Sequence, residues 1–140
     1  MQVFLNRMMP LFGASFKIKH NCMTPVIRED VKLKKIVLVS MCGFWGLENF
    51  DVLVYMINRL CKKIDVEFGG AILRPRSGIY QDMLEKDNSV SDIVDAIRRA
   101  GFELIKNGII RTETLSIIGR PLISENEFLS IYNRAVGARD

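Results

Sequence analysis

Around residue 40 the rhythm of apolar and polar positions changes. A short apolar run, Ile36-Val37-Leu38-Val39, ends at Ser40, and a loop of small and aromatic residues follows. From Phe50 the apolar residues recur at three- and four-residue steps, at Leu53, Val54, Ile57, Leu60, Cys61 and Ile64. This predicts a buried strand over Lys35–Ser40, a strand-to-helix loop, and an amphipathic helix whose start Glu48 or Asn49 can cap. Cys61 falls on the apolar stripe and reads as a small core hydrophobe. A second apolar run, Val66–Leu73, predicts another buried strand. Gly69-Gly70 inside it signals a close approach of backbone or ligand, or a bulge. Strand, helix and strand in that order make a βαβ unit, which is parallel and right-handed in nearly all cases.

The flanking segments are shorter in their signals. Met1, Phe4, Leu5, Met8 and Phe12 are spaced for an amphipathic helix over Met1 to about Leu11, with Pro10 near its end. Phe16-Lys17-Ile18-Lys19 alternates with period two, so Ser15 to Val31 reads as a short β-hairpin or an extended excursion. Ile79 to Asn88 reads as a polar connection with at most a helical turn. Ser89 and Asp92 resemble a capping pair for a helix that carries Val90, Ile93, Val94, Ile97, Leu104 and Ile105 and ends at Asn107-Gly108. Thr112 can cap a short helix through Ile118, and Ser124 with Glu127 forms a capping box for a last helix. The fold class is α/β, with the parallel strands Lys35–Ser40 and Val66–Leu73, helices packed on them and a β-hairpin excursion.

Composition narrows the chemistry. At 140 residues and 49% hydrophobic content, residues 1–140 read as one globular domain, and no apolar run is long enough to span a bilayer. Arg7 and Pro10 break the apolar start, which argues against a signal peptide. Three cysteines, Cys22, Cys42 and Cys61, share no metal-ligand spacing, and their odd number argues against a disulfide framework, so a reducing cytoplasm fits best. The formal charge of +4 is mild, and the small basic clusters are spread along the chain, which sets a nucleic-acid partner aside. His20, the only histidine, sits in the hairpin excursion with no acid or cysteine at ligand spacing and reads as a turn residue. No catalytic residue and no metal site is assigned. Cys42 is the remaining thiol candidate, with no basic neighbour in sequence to activate it.

Four segments carry a resemblance when taken together: Met1-Gln2-Val3-Phe4-Leu5-Asn6-Arg7, Val39-Ser40-Met41-Cys42-Gly43-Phe44, Asn49-Phe50-Asp51 and Ile72-Leu73-Arg74-Pro75. They resemble the C-terminal half of flavodoxin-like NAD(P)H-dependent FMN reductases, the group that includes iron–sulfur flavoproteins. That family typically shows a Met-Lys-x-Phe-Leu-Asp-Arg helix, a strand ending in Ser-Thr-Cys-Gly-Phe, a helix opening near Phe-Asp and a strand ending in Leu-Arg-Pro. Gly119-Arg120-Pro121-Leu122-Ile123 is similar to its closing Pro-Leu. Met41 stands where the family often has Thr, and Asn6 where it has Asp. The family's opening strand and its Gly-Ser-Pro-Arg-like loop, which holds the FMN phosphate at a helix N-terminus, have no counterpart in this sequence. The expectation is therefore a single incomplete flavodoxin-like domain, a truncated product or fragment.

The resemblance implies that Ser40, Met41, Cys42, Gly43, Phe44, Trp45 and Gly46 lie along the isoalloxazine ring of FMN, at the carboxyl ends of the strands where open α/β sheets bind ligands. Main-chain groups there can bond the pyrimidine edge, Gly43 permits close approach, and Phe44 or Trp45 can stack or shield. The alternative is that the two aromatics merely cover the sheet's end. The implied activity is FMN-dependent oxidoreduction with NAD(P)H as donor, with weak FMN occupancy in this chain alone. The competing expectation is a non-enzymatic dimerisation or interaction module, pairing with a second copy or a separate N-terminal half through uncovered edges and faces.

Overall fold

A computed structural model of the chain describes residues 7–19, 21–86 and 89–137. The elements in chain order are β1 (Phe12–Lys19), β2 (Cys22–Ile27), β3 (Lys35–Met41), α1 (Asp51–Ile64), β4 (Glu67–Arg74), α2 (Ser77–Lys86), α3 (Ser91–Asn107), α4 (Thr112–Gly119) and α5 (Glu125–Ala135). Short 3-10 turns precede β1 at Met9–Leu11 and α1 at Leu47–Phe50. Most of the helix expected over Met1 to Leu11 lies outside the described residues. Arg7 and Met8 are helical, and Pro10 falls in the first turn of the 3-10 segment, where a missing N–H leaves no bond unmade. His20 also lies outside them.

The excursion is a hairpin. β1 and β2 pair antiparallel, with Phe16 opposite Pro25, Lys17 opposite Thr24, Ile18 opposite Met23 and Lys19 opposite Cys22. β3 and β4 form the other sheet. The Glu67 N–H bonds the Lys34 carbonyl at one end and the Cys42 N–H bonds the Arg74 carbonyl at the other, so the two strands run parallel as the βαβ reading requires. The α/β class holds. The description of both strands as buried does not: most of their residues are half-exposed, and Val39 is 69% exposed. Continuous apolar runs suggest strands covered on both faces. Among the described residues, however, each strand has one neighbour.

The glycines of β4 have separate roles. A Cβ on Gly69 would lie 2.6 Å from the Lys35 Cδ and 3.0 Å from a Val37 methyl, so the β3 side chains lie across a position that only glycine leaves open. Gly70 has φ +105°, a conformation that L side chains rarely adopt.

The chain divides into two compact units, 1–38 with 52–70 and 39–51 with 71–140. In the first, Met8, Ile64 and Val66 form the core with Leu11, Phe12, Ile27, Leu33, Ile36 and Leu60 around them. Cys61 is 1% exposed, as its place on the apolar stripe predicted, and burial pushes its thiol pKa up. In the second, Ala96, Ala100 and Ile118 pack with Ile72, Ile110 and Ile117. The small alanines of α3 allow α4 to approach closely.

Several caps differ from expectation. Ser77–Lys86 is a ten-residue helix where a polar connection over Ile79–Asn88 was expected; its apolar stripe is too weak to announce it. Val90 holds the N-cap position of α3 without a side-chain capping bond, where Ser89 with Asp92 was expected, and the 3-10 turn leading into α1 is entered at Gly46, where Glu48 or Asn49 was expected to cap the helix. Asp92 instead accepts two bonds at 2.8 Å from the Arg120 guanidinium, a bidentate pair stronger than a neutral cap. Asn49 donates to the Gly46 carbonyl at 3.0 Å. Thr112 is the first residue of α4, and Arg111 holds the N-cap position. The start of α4 is capped from α3. The buried Glu103 carboxylate accepts the Arg111 N–H at 2.9 Å and the Thr114 hydroxyl at 3.0 Å, and these bonds hold its pKa below the ordinary value. The Ser124–Glu127 capping box forms as read, and Gly108 ends α3 at φ +77°.

In the first unit, one acid ties the hairpin to the end of α1. Asp65 accepts bonds from the Lys17 ammonium at 2.7 Å and from the Lys19 ammonium. These two bonds hold its pKa at about 2, down from 3.8. A carboxylate whose folded pKa is depressed adds stability in full above its unfolded pKa and loses it as pH falls through the folded one. We expect Asp65→Asn to lower the urea midpoint at pH 5 and above, and the gap to wild type to close as pH falls from about 4 to about 2. A gap that persists at pH 2 would show that the acid acts through something other than its charge.

Candidate functional site

The second unit holds the whole corner from Ser40 to Gly46. Ser40 and Met41 end β3, and Cys42 to Gly46 form the loop that leads into the 3-10 turn. β3 ends at Met41, and the chain leaves the sheet through Cys42 and Gly43. The C-terminal end of β4 lies alongside, and the residues just beyond it, Pro75 and Arg76, begin the turn into α2.

The corner is braced by Arg76. Its N–H donates to the Phe44 carbonyl at 3.0 Å. Its guanidinium donates to the Trp45 carbonyl at 2.5 Å and to the Gly119 carbonyl at 3.0 Å, and it lies 4.6 Å over the Trp45 ring. Arg74 does the same work one step back. One of its nitrogens bonds the Ile118 carbonyl at 2.6 Å and the Arg120 carbonyl at 2.9 Å, and the guanidinium lies 5.4 Å over Tyr80. Both arginines are 3% exposed. Three successive carbonyls at the end of α4 thus receive two cations, where the helix dipole is negative. Burial pushes the Arg74 pKa down to about 10, with the neighbouring Arg76 and Arg120 charges adding to the effect, so it remains a cation at neutral pH. Burial also lowers Arg76, against the opposing pull of Cys42 and Glu48.

The same bracing decides which main-chain groups of the corner remain available. Every carbonyl from Cys42 to Gly46 except that of Gly43 is an acceptor in use: Ser77 N–H bonds Cys42 at 2.9 Å, Arg76 takes Phe44 and Trp45, and Asn49 takes Gly46. No hydrogen bond among the described residues reaches the N–H groups of Gly43, Phe44, Trp45 or Gly46. The corner is rich in donors and has few spare acceptors. A Cβ on Gly43 would meet nothing within 4 Å, so the space beside that residue is open, whereas the Glu48 carboxylate lies over Gly46.

The two aromatics part company. Trp45 is half-buried between the Arg76 guanidinium and Phe128, whose ring centroid is 5.4 Å away, and Phe128 stacks in turn on Tyr132. Its faces are used inside the unit, as in the covering alternative. Phe44 is 62% exposed and is the aromatic free to stack. Met41, 55% exposed, adds apolar surface. Cys42 is half-buried, with its Sγ 3.9 Å from the Phe44 carbonyl. Arg76 supplies the basic neighbour that the sequence did not show.

The sequence pattern gives Arg74 no role beyond closing a strand with Leu73 and Pro75, and gives Arg76 none. Two arginines flanking a proline at the close of an apolar run are the signal that was there to be found. No cluster of His, Cys, Asp and Glu able to hold a metal occurs among the described residues, and no described helix is long and apolar enough to cross a membrane. Compared with protein-family models, with curated proteins and with solved structures, the chain matches none.

If Arg76 braces the corner, its loss will be read by Trp45, the sole tryptophan. We expect Arg76→Leu to shift tryptophan emission to the red and to lower stability by about 2–4 kcal/mol, the loss of two bonds from a charged donor. Arg76→Lys should recover only part of this, because an ammonium lacks the planar fork. Unchanged emission and an unchanged midpoint in Arg76→Leu would remove Arg76 from the account.

Proposed function

We propose that the chain is the ring-binding part of a flavodoxin-like, FMN-dependent NAD(P)H oxidoreductase, and that the corner Ser40–Gly46 faces the isoalloxazine. The observation that carries this reading is the run of four N–H groups, without a hydrogen-bond partner among the described residues, at the carboxyl end of a parallel strand pair. The edge of an oxidised isoalloxazine presents mainly acceptors, at N1, O2, O4 and N5. A donor-rich loop beside an exposed phenyl ring is the complementary surface. Bound there, the flavin supplies the hydride chemistry, and the protein's part is to hold and orient the ring. Gly43 leaves room for the ring, Phe44 covers a face, and Arg76 keeps the loop's carbonyls turned away from it.

The affinity expected of the chain alone is low. Three or four neutral hydrogen bonds at about 1 kcal/mol each, with about 1 kcal/mol from stacking, give a Kd of about 0.2–1 mM. A separate N-terminal half, in the cytoplasmic setting that the cysteines favour, would add the contacts to the ribityl phosphate. Titration of FMN and of riboflavin should therefore give affinities within about threefold of each other, since no phosphate contact is drawn on. The amide signals of Gly43 to Gly46 should move in both titrations. Gly43→Val should weaken both without changing the unfolding midpoint, because that position has open space and an ordinary φ. Tight stoichiometric FMN binding, or amide shifts that avoid the corner, would sink the proposal.

A second reading, an interaction module that forms homo-oligomers, is favoured by the hairpin. Phe16, Ile18 and Met23 are 64%, 82% and 66% exposed, and the pairs Phe16–Pro25 and Ile18–Met23 place them on one face of the ribbon. Sedimentation at rising concentration should then show a dimer that Ile18→Lys abolishes; a monomer throughout would exclude it.

A further inference from the structure

The opposite face of the hairpin has a different character. Lys19, Cys22 and Thr24 look onto α1 and, with its second half, enclose an open cleft of about 960 Å³. That volume is at the upper end of the range for small-molecule sites. Its walls are mostly apolar, from Tyr55, Met56 and Leu60, and Tyr55 and Met56 are 65% and 42% exposed. Leu60 also packs against the first unit's core, whereas Tyr55 and Met56 are not among the residues that form it.

The charges around the cleft are unbalanced. Its two acids are already neutralised: Asp65 by Lys17 and Lys19, and Glu67 by Lys35. Arg59, Lys62 and Lys63 also line it, and none has an ion-pair partner among the described residues. Lys62 and Lys63 suit the C-terminal turn of α1, where cations are favoured, but a helix end does not require the third cation or the apolar floor beneath them. Long basic side chains lay their stems on apolar surface and keep the charge at its rim, which gives a greasy floor with a cationic collar. A second copy of the chain would bring the same positive collar against this one.

We propose that this cleft binds an anionic amphiphile, a free medium- or long-chain carboxylate, with its chain along Tyr55, Met56 and Leu60 and its head group among Arg59, Lys62 and Lys63. The site is independent of the corner at Ser40–Gly46, so its failure and the failure of the flavin reading are separable.

The test is calorimetric titration of the full chain with decanoate, decyl maltoside and decyltrimethylammonium below their micellar concentrations. The three carry unbranched tails of nearly equal length and heads of different charge. Decanoate should bind at least about tenfold more tightly than either of the others, and raising salt from about 0.05 to about 0.5 M should weaken it severalfold. The triple variant Arg59→Gln/Lys62→Gln/Lys63→Gln, all at exposed positions, should lose about tenfold for decanoate and keep its unfolding midpoint. Decanoate should also slow alkylation of Cys22, which lines the cleft and is exposed, and leave Cys42 untouched. Equal binding of the three heads, no binding, an unprotected Cys22, or a concentration-dependent dimer that excludes decanoate would each overturn the proposal.

Discussion

The second unit depends on two buried guanidiniums. Taking a cation out of water is expensive unless its donors are met. Arg74 and Arg76 meet part of this cost with the last carbonyls of α4, with the Trp45 carbonyl and with two aromatic faces, with no carboxylate in contact, while Arg74 Nε and Nη2 and Arg76 Nε are buried without a partner among the described residues. Carbonyls without helical partners and cations without acids answer one another. The result fixes the end of β4, the end of α4 and the corner after β3 in one hydrogen-bonded group. Arg76 adopts φ +55° there, a strained backbone for a non-glycine residue that its own bonds hold in place.

This bracing shapes the chemistry available at the corner. Had the arginines pointed elsewhere, the loop's carbonyls would face solvent, and the corner would offer donors and acceptors alike. With the carbonyls engaged, it offers donors. The division between Trp45 and Phe44 follows from the same cause: the ring beneath Arg76 becomes part of the interior, and its neighbour is left outside. What the corner can recognise is thus set by residues some thirty positions further along the chain.

Much of the scaffold was legible in the sequence because it is local. The stripe from Leu53 to Ile64 marks α1, Ser124 and Glu127 mark the start of α5, and the βαβ order implies the parallel pair. What was not legible depends on distant partners. Glu103 reads as a surface charge until the start of α4 folds against it. Arg74 reads as the polar end of a strand and Arg76 is given no role, since their acceptors lie more than thirty or forty residues away. Burial of β3 and β4 was overestimated because apolar runs report what a strand tolerates and not how many neighbours it has. The corner's position could be read from the pattern; its hydrogen-bonding character could not.

The two adjacent glycines of β4 have a consequence for alignment. Slide the strand one residue in one direction and Phe68 would have to fit beneath the Lys35 stem, where even a methyl collides. Slide it the other way and Ala71 would inherit the backbone angle that Gly70 accepts. Each one-residue misalignment meets a different steric cost, so the two glycines favour the observed offset in a short, half-exposed ladder that has few rungs to define it.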